Sequence, residues 1–266
     1  MRGPERVFIT GASSGIGAAL AREYAARGAV LGLLGRRRDA LEALAASLPG
    51  SHHIYETDVR DHASLRDAAR DFLARAGGID VVIASSGISQ GTLTSDADDL
   101  PVFEAVFDTN VLGVVATFAP FIESMRDAMR QGGGRRRLVA IGSMAGVRGL
   151  KGAGAYCASK AAVASYCESL RLELRASGIR VVTIAPGFID TPMTRVNAFP
   201  MPFLMPVDRF ARAALRTIDA GVGYRVLPRP MGIAAGVLRL LPNALFDRLF
   251  AHAPQKSLRG AWKEPA

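Results

Sequence analysis

Short apolar runs alternate with segments of helical periodicity along most of this 266-residue chain. Such an alternation is typical of βαβ units, in which parallel strands form one sheet and helices cover both of its faces. The pattern therefore predicts an α/β fold, a doubly wound parallel sheet with a C-terminal helical tail. The seven predicted strands lie near 5–10, 29–34, 53–56, 79–84, 137–142, 179–185 and 223–227, and the helices near 15–27, 37–48, 62–76, 101–131 (broken), 154–177 and 208–220.

The size and hydrophobic content of the chain permit one large buried core. Its mass is 28.1 kDa and 49% of its residues are hydrophobic, which suits a single domain. We expect a principal domain over residues 1–227 and an apolar, basic C-terminal extension over residues 228–266. Within the principal domain, residues 188–206 contain four prolines and no clear period, which predicts a loop or lid.

The composition disfavours several classes of function. The net charge is +9, but no aromatic residues are interleaved with the basic ones, so we expect no nucleic-acid partner. Cys157 and Cys167 should lie about 15 Å apart on one helix, too far to form a disulfide. The histidines share no ligand spacing with these cysteines, so we expect no metal. Met1 leads into the first strand without a cleavable signal, and together with free thiols this predicts a cytoplasmic protein.

The segment from Thr10 to Gly17, with the sequence Thr-Gly-Ala-Ser-Ser-Gly-Ile-Gly, joins the first predicted strand to the first helix. Gly11, Gly15 and Gly17 leave no side chains where the backbone and the start of the helix approach a ligand. The free N–H groups and the positive end of that helix suit a pyrophosphate. The segment therefore predicts a dinucleotide-binding site.

Tyr156 and Lys160 are four residues apart, within Tyr-Cys-Ala-Ser-Lys, and so should share one helical face. A cation beside a tyrosine favours the phenolate, so we expect Lys160 to lower the pKa of Tyr156. A tyrosine of this kind can donate and accept a proton near neutral pH. The two motifs together predict acid–base chemistry next to a bound dinucleotide.

These motifs stand in an ordered set, over roughly residues 5–227, that resembles the short-chain dehydrogenases/reductases. The other members of the set are Asp58-Val59 after the third strand, Ser85-Ser86-Gly87 after the fourth, Asn110, Ser143 at the end of the fifth, and Pro186-Gly187 with Thr191 after the sixth. The order of all seven elements is far more specific than either motif alone. One departure is Ser85, which stands where the family usually has an asparagine.

The resemblance implies a Rossmann-like fold and a catalytic set of Asn110, Ser143, Tyr156 and Lys160. Tyr156 would exchange a proton with the substrate oxygen, Ser143 would hold that oxygen, and Lys160 would also bind the nicotinamide ribose. Asn110 would anchor a water chain to the lysine. The implied cofactor-binding residues are Gly11, Ser13, Ser14, Gly15, Ile16, Gly17, Arg36, Arg37, Asp58, Val59, Ser85, Ser86, Gly87, Tyr156, Lys160, Pro186, Gly187, Ile189 and Thr191.

The end of the second strand predicts NADP(H) as the cofactor. Relatives that prefer NAD usually carry an acid there for the ribose hydroxyls. Here Gly35 is followed by Arg36 and Arg37, and a guanidinium matches the geometry of a 2′-phosphate. We therefore expect an NADPH-dependent reductase of aldehydes or ketones. Two alternatives are an NADP-dependent alcohol dehydrogenase working in the oxidative direction and a non-catalytic NADP-binding sensor or scaffold.

Two segments bear on substrate and partners. Residues 188–206 contain three Phe and three Met, together with Ile189, Val196 and Leu204, which favours either a hydrophobic substrate or packing against the tail or a second subunit. The tail, residues 225–266, carries seven basic and two acidic side chains beside apolar stripes. It either lies on an anionic membrane or packs on protein. Family members commonly form dimers and tetramers, so the resemblance implies a homodimer or homotetramer.

Overall fold

The computed structural model describes residues 3–251 of the chain. Its centre is a parallel sheet of seven strands in the order β3-β2-β1-β4-β5-β6-β9. The strands are β1 Arg6–Thr10, β2 Val30–Gly35, β3 His53–Glu56, β4 Val81–Ala84, β5 Arg137–Ile141, β6 Arg180–Pro186 and β9 Tyr224–Leu227. The order reverses between β1 and β4, which is the doubly wound topology that the sequence predicts, so that prediction is confirmed.

Helices cover both faces of the sheet because successive side chains of each strand point to opposite sides. On β1, Val7 and Ile9 face one core, under α1, α2 and α8. Phe8 faces the other core, under α3, α5 and α6. These helices are α1 Gly15–Ala25, α2 Arg38–Ser47, α3 His62–Ala76, α5 Gly113–Arg130, α6 Gly154–Glu173 and α8 Val207–Ala220. The sheet is therefore packed between two hydrophobic cores.

The long helical segment that the sequence predicts as broken consists of three parts. Helix α4, Leu100–Phe107, continues through a π-helical turn, Asp108–Leu112, into α5. A π turn inserts an extra residue into the helical ladder and is common at functional sites. By length and composition the stretch Leu100–Arg130 could cross a membrane, but half of its most apolar window is buried inside the fold, as expected of a core helix.

The segment 188–206 has more regular structure than its sequence predicts. Two short strands, β7 Ile189–Asp190 and β8 Met205–Pro206, pair in parallel on either side of the helix α7, Pro192–Arg195. Thr191 and Thr194 form a reciprocal capping box at the start of α7. Turn-length elements of this kind leave no periodicity in a sequence, because they depend on contacts across the segment. The assignment of this segment as a lid stays a prediction.

The C-terminal extension begins with two helices, α9 Arg229–Leu240 and α10 Asn243–Phe250, separated at Pro242. Met231 and Ala235 of α9 are buried against Ala185 and Val226. The start of the extension therefore packs on the last strands of the main sheet. Three of its predicted basic residues, Lys256, Arg259 and Lys263, lie outside the described residues.

Candidate active site

Every motif singled out in the sequence lies at the carboxyl edge of the sheet, where a cleft opens. Parallel strands bring their carboxyl ends to one edge, which is where ligands bind in open α/β sheets. All the predicted cofactor-binding residues, together with Ser143, line this cleft. Asn110 is the predicted site residue that stands behind its wall.

The glycine turn forms the floor of the cleft and leaves space for a ligand. Gly11 has a φ of +68°, and a Cβ there would lie 2.7 Å from the backbone nitrogen of Ser86. A Cβ on Gly17 would collide with the Gly11 carbonyl oxygen. Ser14, which precedes α1, makes no side-chain cap hydrogen bond, so the first N–H groups of the helix face the cleft without a side-chain acceptor. This arrangement fits a pyrophosphate.

A pair of arginines forms one end of the cleft, next to the glycine turn. Arg37 donates from Nη2 to the carbonyl oxygen and to Oγ of Ser13, at 3.2 and 3.3 Å. Arg36 Nη1 lies 3.8 Å from Asp58 Oδ2. The next arginine, Arg38, is directed elsewhere, since its Nε donates to Glu42 at 2.7 Å. Two guanidinium groups therefore border the position where β2 ends.

Asp58 and the loop after β4 form the neighbouring wall. The Asp58 carboxylate accepts hydrogen bonds from the backbone and side chain of Arg60, at 2.9 to 3.1 Å. Burial alone would raise the pKa of Asp58, but the Arg60 hydrogen bonds and the nearby Arg36 hold it below its usual value. Ser85 donates its backbone N–H to Thr10 Oγ1 at 3.3 Å. The backbone of the β4 loop is thus tied to the end of β1.

Tyr156 and Lys160 lie on α6 and face the end of β5, as their spacing predicts. The Ser143 side chain interacts with the Tyr156 hydroxyl, and Ser143 Oγ accepts the backbone N–H of Ala145 at 3.1 Å. Lys160 Nζ lies 5.8 Å from the centroid of the Tyr156 ring and donates to the carbonyl oxygen of Ile141 at 3.0 Å. A phenol, a hydroxyl and an ammonium therefore meet in the cleft.

The pKa of Tyr156 differs from the sequence prediction. Burial raises it above its ordinary value of 10, and the interaction with Ser143 only partly opposes the increase. Lys160 was expected to lower the pKa, but its ammonium is directed to a backbone carbonyl. Burial lowers the pKa of Lys160 itself from 10.5 to about 8. Desolvation thus outweighs the expected attraction between the two groups.

Asn110 is fully buried and connects the β4 loop to α6. Its Oδ1 accepts the backbone N–H of Ile88 at 2.8 Å, and its Nδ2 donates to the Ile88 carbonyl and to Ser159 Oγ, both at 3.0 Å. Ser159 Oγ in turn donates to the Tyr156 carbonyl at 2.8 Å. The π-helical turn presents Asn110 to these partners. Its role as a water anchor stays a prediction.

The opposite wall of the cleft comes from the segment after β6. Pro186, Gly187, Ile189 and Thr191 line it, as the sequence predicts. Thr191 lies close to the glycine turn, since a Cβ on Gly15 would be 3.5 Å from its methyl carbon. Met193, on α7, also lines the cleft. This wall therefore combines the polar Thr191, next to the glycine turn, with the apolar Ile189 and Met193.

Sequence reasoning missed several groups in and around the cleft. Ser159 lies within the Tyr-Cys-Ala-Ser-Lys segment, so its position next to the reactive pair was a usable signal. The Ile141 carbonyl, which accepts a hydrogen bond from Lys160, left no signal in the sequence, because any residue supplies a carbonyl. Ile88 is similar, since Asn110 contacts only its backbone atoms. Contacts to backbone are invisible to motif analysis.

Comparison with known proteins agrees with this geometry. The family model for short chain dehydrogenase matches residues 5–199. An uncharacterized oxidoreductase of Myxococcus xanthus is 37% identical over 245 residues, which cover 90% of this chain and 94% of that protein. An uncharacterized oxidoreductase of Mycobacterium tuberculosis is 38% identical over 253 residues, covering 92% and 96%. The 11-beta-hydroxysteroid dehydrogenase 1A of Arabidopsis thaliana is 32% identical over 243 residues, covering 90% and 65%.

Two solved structures share the fold. A short-chain type dehydrogenase/reductase from Mycobacterium marinum has a TM-score of 0.75 and 27% identity, covering 84% of this chain and 92% of that one. A 3-ketoacyl-(acyl-carrier-protein) reductase from Brucella melitensis, solved in complex with NADH, has a TM-score of 0.76 and 24% identity, covering 84% and 95%. The sheet and helices described above are therefore those of known enzyme structures.

Proposed function

Because this chain belongs to the short-chain dehydrogenase family and is an oxidoreductase with a nicotinamide cofactor, we propose that it reduces a hydrophobic aldehyde or ketone to an alcohol with NADPH. The observation that carries the proposal is the position of Ser143, Tyr156 and Lys160 in the same cleft as the glycine turn. Acid–base groups and a pyrophosphate site need to share one cleft for a hydride and a proton to reach one substrate.

Each side chain has a separate task in the proposed reaction. NADPH, when bound, supplies the hydride that reaches the carbonyl carbon. The Tyr156 hydroxyl gives its proton to the carbonyl oxygen, which completes the alcohol. Ser143, which interacts with Tyr156, donates to the same oxygen and stabilises the charge that develops on it. The Lys160 ammonium, beside the Tyr156 ring, stabilises the phenolate that remains.

The raised pKa of Tyr156 favours the reductive direction. A phenol that holds its proton throughout the neutral range is ready to donate it, whereas alcohol oxidation needs the phenolate as a base. The charged form of Lys160 is the form that can stabilise the phenolate after the proton has left, and it persists below a pH of about 8. Reduction is therefore the direction that these two groups support near neutral pH.

The choice of NADPH rests on the arginine end of the cleft. Arg36 and Arg37 border the position where β2 ends, and Gly35 carries no acid that would repel a phosphate. The Arg37–Ser13 hydrogen bonds hold one guanidinium beside the glycine turn. A 2′-phosphate placed there would receive charge-assisted hydrogen bonds, which are about twice as strong as neutral ones.

The choice of a hydrophobic substrate rests on apolar side chains near Ser143 and on one relative. Met144, Val147 and Phe188 are partly buried against Met231, and the rings of Phe188 and Phe199 lie 6.2 Å apart between centroids. Met144 directly follows Ser143 in the chain, and Phe188 directly follows Gly187, which lines the cleft. The Arabidopsis relative is named for a steroid substrate, which is consistent with an extended apolar carbonyl compound here.

An assay of NADPH consumption tests the proposal directly. Wild-type protein should consume NADPH with at least one of three substrate sets, namely medium-chain 3-ketoacyl esters, long-chain ketones and aromatic aldehydes. Tyr156→Phe removes the proton donor while nearly preserving shape, so it should lower kcat by at least about a hundredfold and leave NADPH binding intact. Tyr166→Phe is the matched control, because Tyr166 lies on the same helix and packs in the core under α6.

The remaining outcomes separate the alternatives. Tight NADPH binding without turnover of any carbonyl compound would favour a sensor or scaffold. Turnover only of alcohols with NADP⁺ would favour a dehydrogenase working oxidatively. Retention of a substantial fraction of kcat by Tyr156→Phe would refute the assigned proton donor.

A further inference from the structure

The outward face of α9 is apolar, although its inward face already packs on the fold. Ile233, Val237 and Leu240 are 74%, 56% and 85% exposed, and their spacing places them on one stripe of the helix. Met231 and Ala235 lie on the opposite side and are buried. A continuous exposed stripe of large aliphatic side chains indicates a surface that binds a membrane or another protein.

Helix α10 extends this surface beyond Pro242. Leu245 and Leu249 are both exposed and are one helical turn apart. The helix is held in place by Arg148, which donates to the Leu241 carbonyl at 3.1 Å and to Asn243 Oδ1 at 3.0 Å. The Arg148 guanidinium also stacks 4.2 Å from the centroid of the Phe246 ring. Because Phe246 is buried on this inner side, the two leucines face outward.

We propose that this outward face of α9 and α10, defined by Ile233, Val237, Leu240, Leu245 and Leu249, docks on an anionic lipid bilayer with both helices lying in the plane of the membrane. The twelve residues of α9 reach only about 18 Å, well short of a hydrocarbon core of about 30 Å, so the helix cannot span it. Interfacial helices instead place an apolar face among the acyl chains and basic residues among the headgroups.

The charges beside the apolar face favour lipid over protein. Arg229, Arg239 and Arg248 lie on these two helices against a single acid, Asp247. Within residues 3–251, none of the three arginines has a carboxylate within ion-pair distance. They are therefore available to anionic headgroups, and each arginine near the membrane surface adds modestly to the free energy of binding.

A second copy of the chain is the competing occupant, and the same charges oppose it. A two-fold contact pairs a surface with itself, so the three arginines of one copy would approach those of the other. Like charges brought together at an interface weaken association. An anionic bilayer carries the opposite charge over its whole surface and covers the same leucines.

The docking surface also adjoins the candidate active site. Met231, on the inner side of α9, lies against Gly187, where a Cβ would be only 3.0 Å from its Cγ. Gly187 lines the cleft. A bilayer beneath α9 would therefore lie one helix away from the cleft wall. The docking itself does not depend on the proposed reaction, and its test needs no turnover.

Vesicle co-sedimentation of the full chain tests this proposal. We compare vesicles of phosphatidylcholine with vesicles of phosphatidylcholine and phosphatidylglycerol. Wild-type protein should sediment with the mixed vesicles and be released by added salt. Leu240→Ser should weaken this binding about tenfold, since it withdraws one large apolar side chain from the acyl chains. Leu172→Ser is the matched control, because Leu172 is 70% exposed but lies on α6 and is not one of the five residues of the docking surface, so it should leave binding unchanged.

Charge variants provide the second arm of the test. Arg239→Gln should weaken binding to the mixed vesicles about fivefold. Arg175→Gln should not, because Arg175 is exposed but lies outside α9 and α10. Thermal unfolding checks that every variant is folded.

Three results would overturn the proposal. The first is wild-type protein that stays in the supernatant with the mixed vesicles. The second is binding to them that Leu240→Ser does not weaken. The third is a wild-type dimer that binds no vesicles and that Leu240→Ser splits into monomers in light scattering, which would assign the surface to a second copy.

Discussion

Lys160 places a charge in the interior of the fold, and the free energy of unfolding should depend on pH as a result. The residue is only 5% exposed, and within the described chain its Nζ donates to a single backbone carbonyl, that of Ile141. Burial lowers its pKa from 10.5 to about 8. A lysine that is neutral in the folded state at a pH where the unfolded chain still binds the proton links folding to pH.

The sign and size of this effect follow from the two pKa values. Between a pH of about 8 and 10.5, the unfolded state binds a proton that the folded state has released, so the free energy of unfolding rises with pH. The rise is about 1.4 kcal/mol per pH unit and comes to about 3 kcal/mol over the whole interval. Below a pH of about 8 both states are protonated, and the full cost of the buried charge is present and constant.

Lys160→Met removes the titration while keeping a side chain of similar length. Urea unfolding followed by circular dichroism, at several pH values from 7 to about 10.5, should show the wild-type stability rising relative to the variant by about 3 kcal/mol. Taking the difference between the two proteins cancels every group that they share. Lys151→Met is the control, because Lys151 is exposed. Its free energy of unfolding, plotted against pH, should run parallel to that of the wild type. A constant difference between wild type and Lys160→Met would refute the burial of a titrating lysine.

Three further predictions concern the reaction. Carbonyl reduction should fall as pH rises through about 8, because Lys160 loses its charge there; a pH–rate profile that stays flat to a pH of 10 would contradict this. Arg36→Ala should raise the KM for NADPH by about tenfold or more and the KM for NADH far less. Arg38→Ala should change neither KM, because the Arg38 guanidinium binds Glu42. Equal effects of Arg36→Ala on both cofactors would refute the phosphate site. Values of kcat/KM should rise with alkyl chain length across a ketone series, by about tenfold per pair of buried methylene groups, and a flat or falling series would contradict an apolar pocket.

The sequence was most informative where function depends on local periodicity or on one chemical group. The alternation of strand and helix patterns predicted a doubly wound parallel sheet, because the strands and helices of βαβ units must bury their apolar faces against one another. The glycine turn was readable because no residue with a Cβ fits where Gly11 meets Ser86. Tyr156 and Lys160 were readable because the helical period alone places them on one face.

Contacts between distant segments could not be predicted in this way. Asn110 reaches Ile88 and Ser159 across gaps of 22 and 49 residues, and its partners on Ile88 are backbone atoms that carry no residue identity. Arg148 holds α10 from 93 and 95 residues away. The paired strands β7 and β8 are two residues each, too short for any period to appear.

The protonation of the reactive pair was decided by the tertiary structure in the same way. Four-residue spacing predicted that Lys160 would lower the pKa of Tyr156. Burial instead raises the pKa of Tyr156 and lowers the pKa of Lys160. Both shifts oppose the charged forms. The sequence determines which groups are neighbours on a helix, whereas the strands and loops packed over that helix determine how much water each group retains, and desolvation depends on the latter.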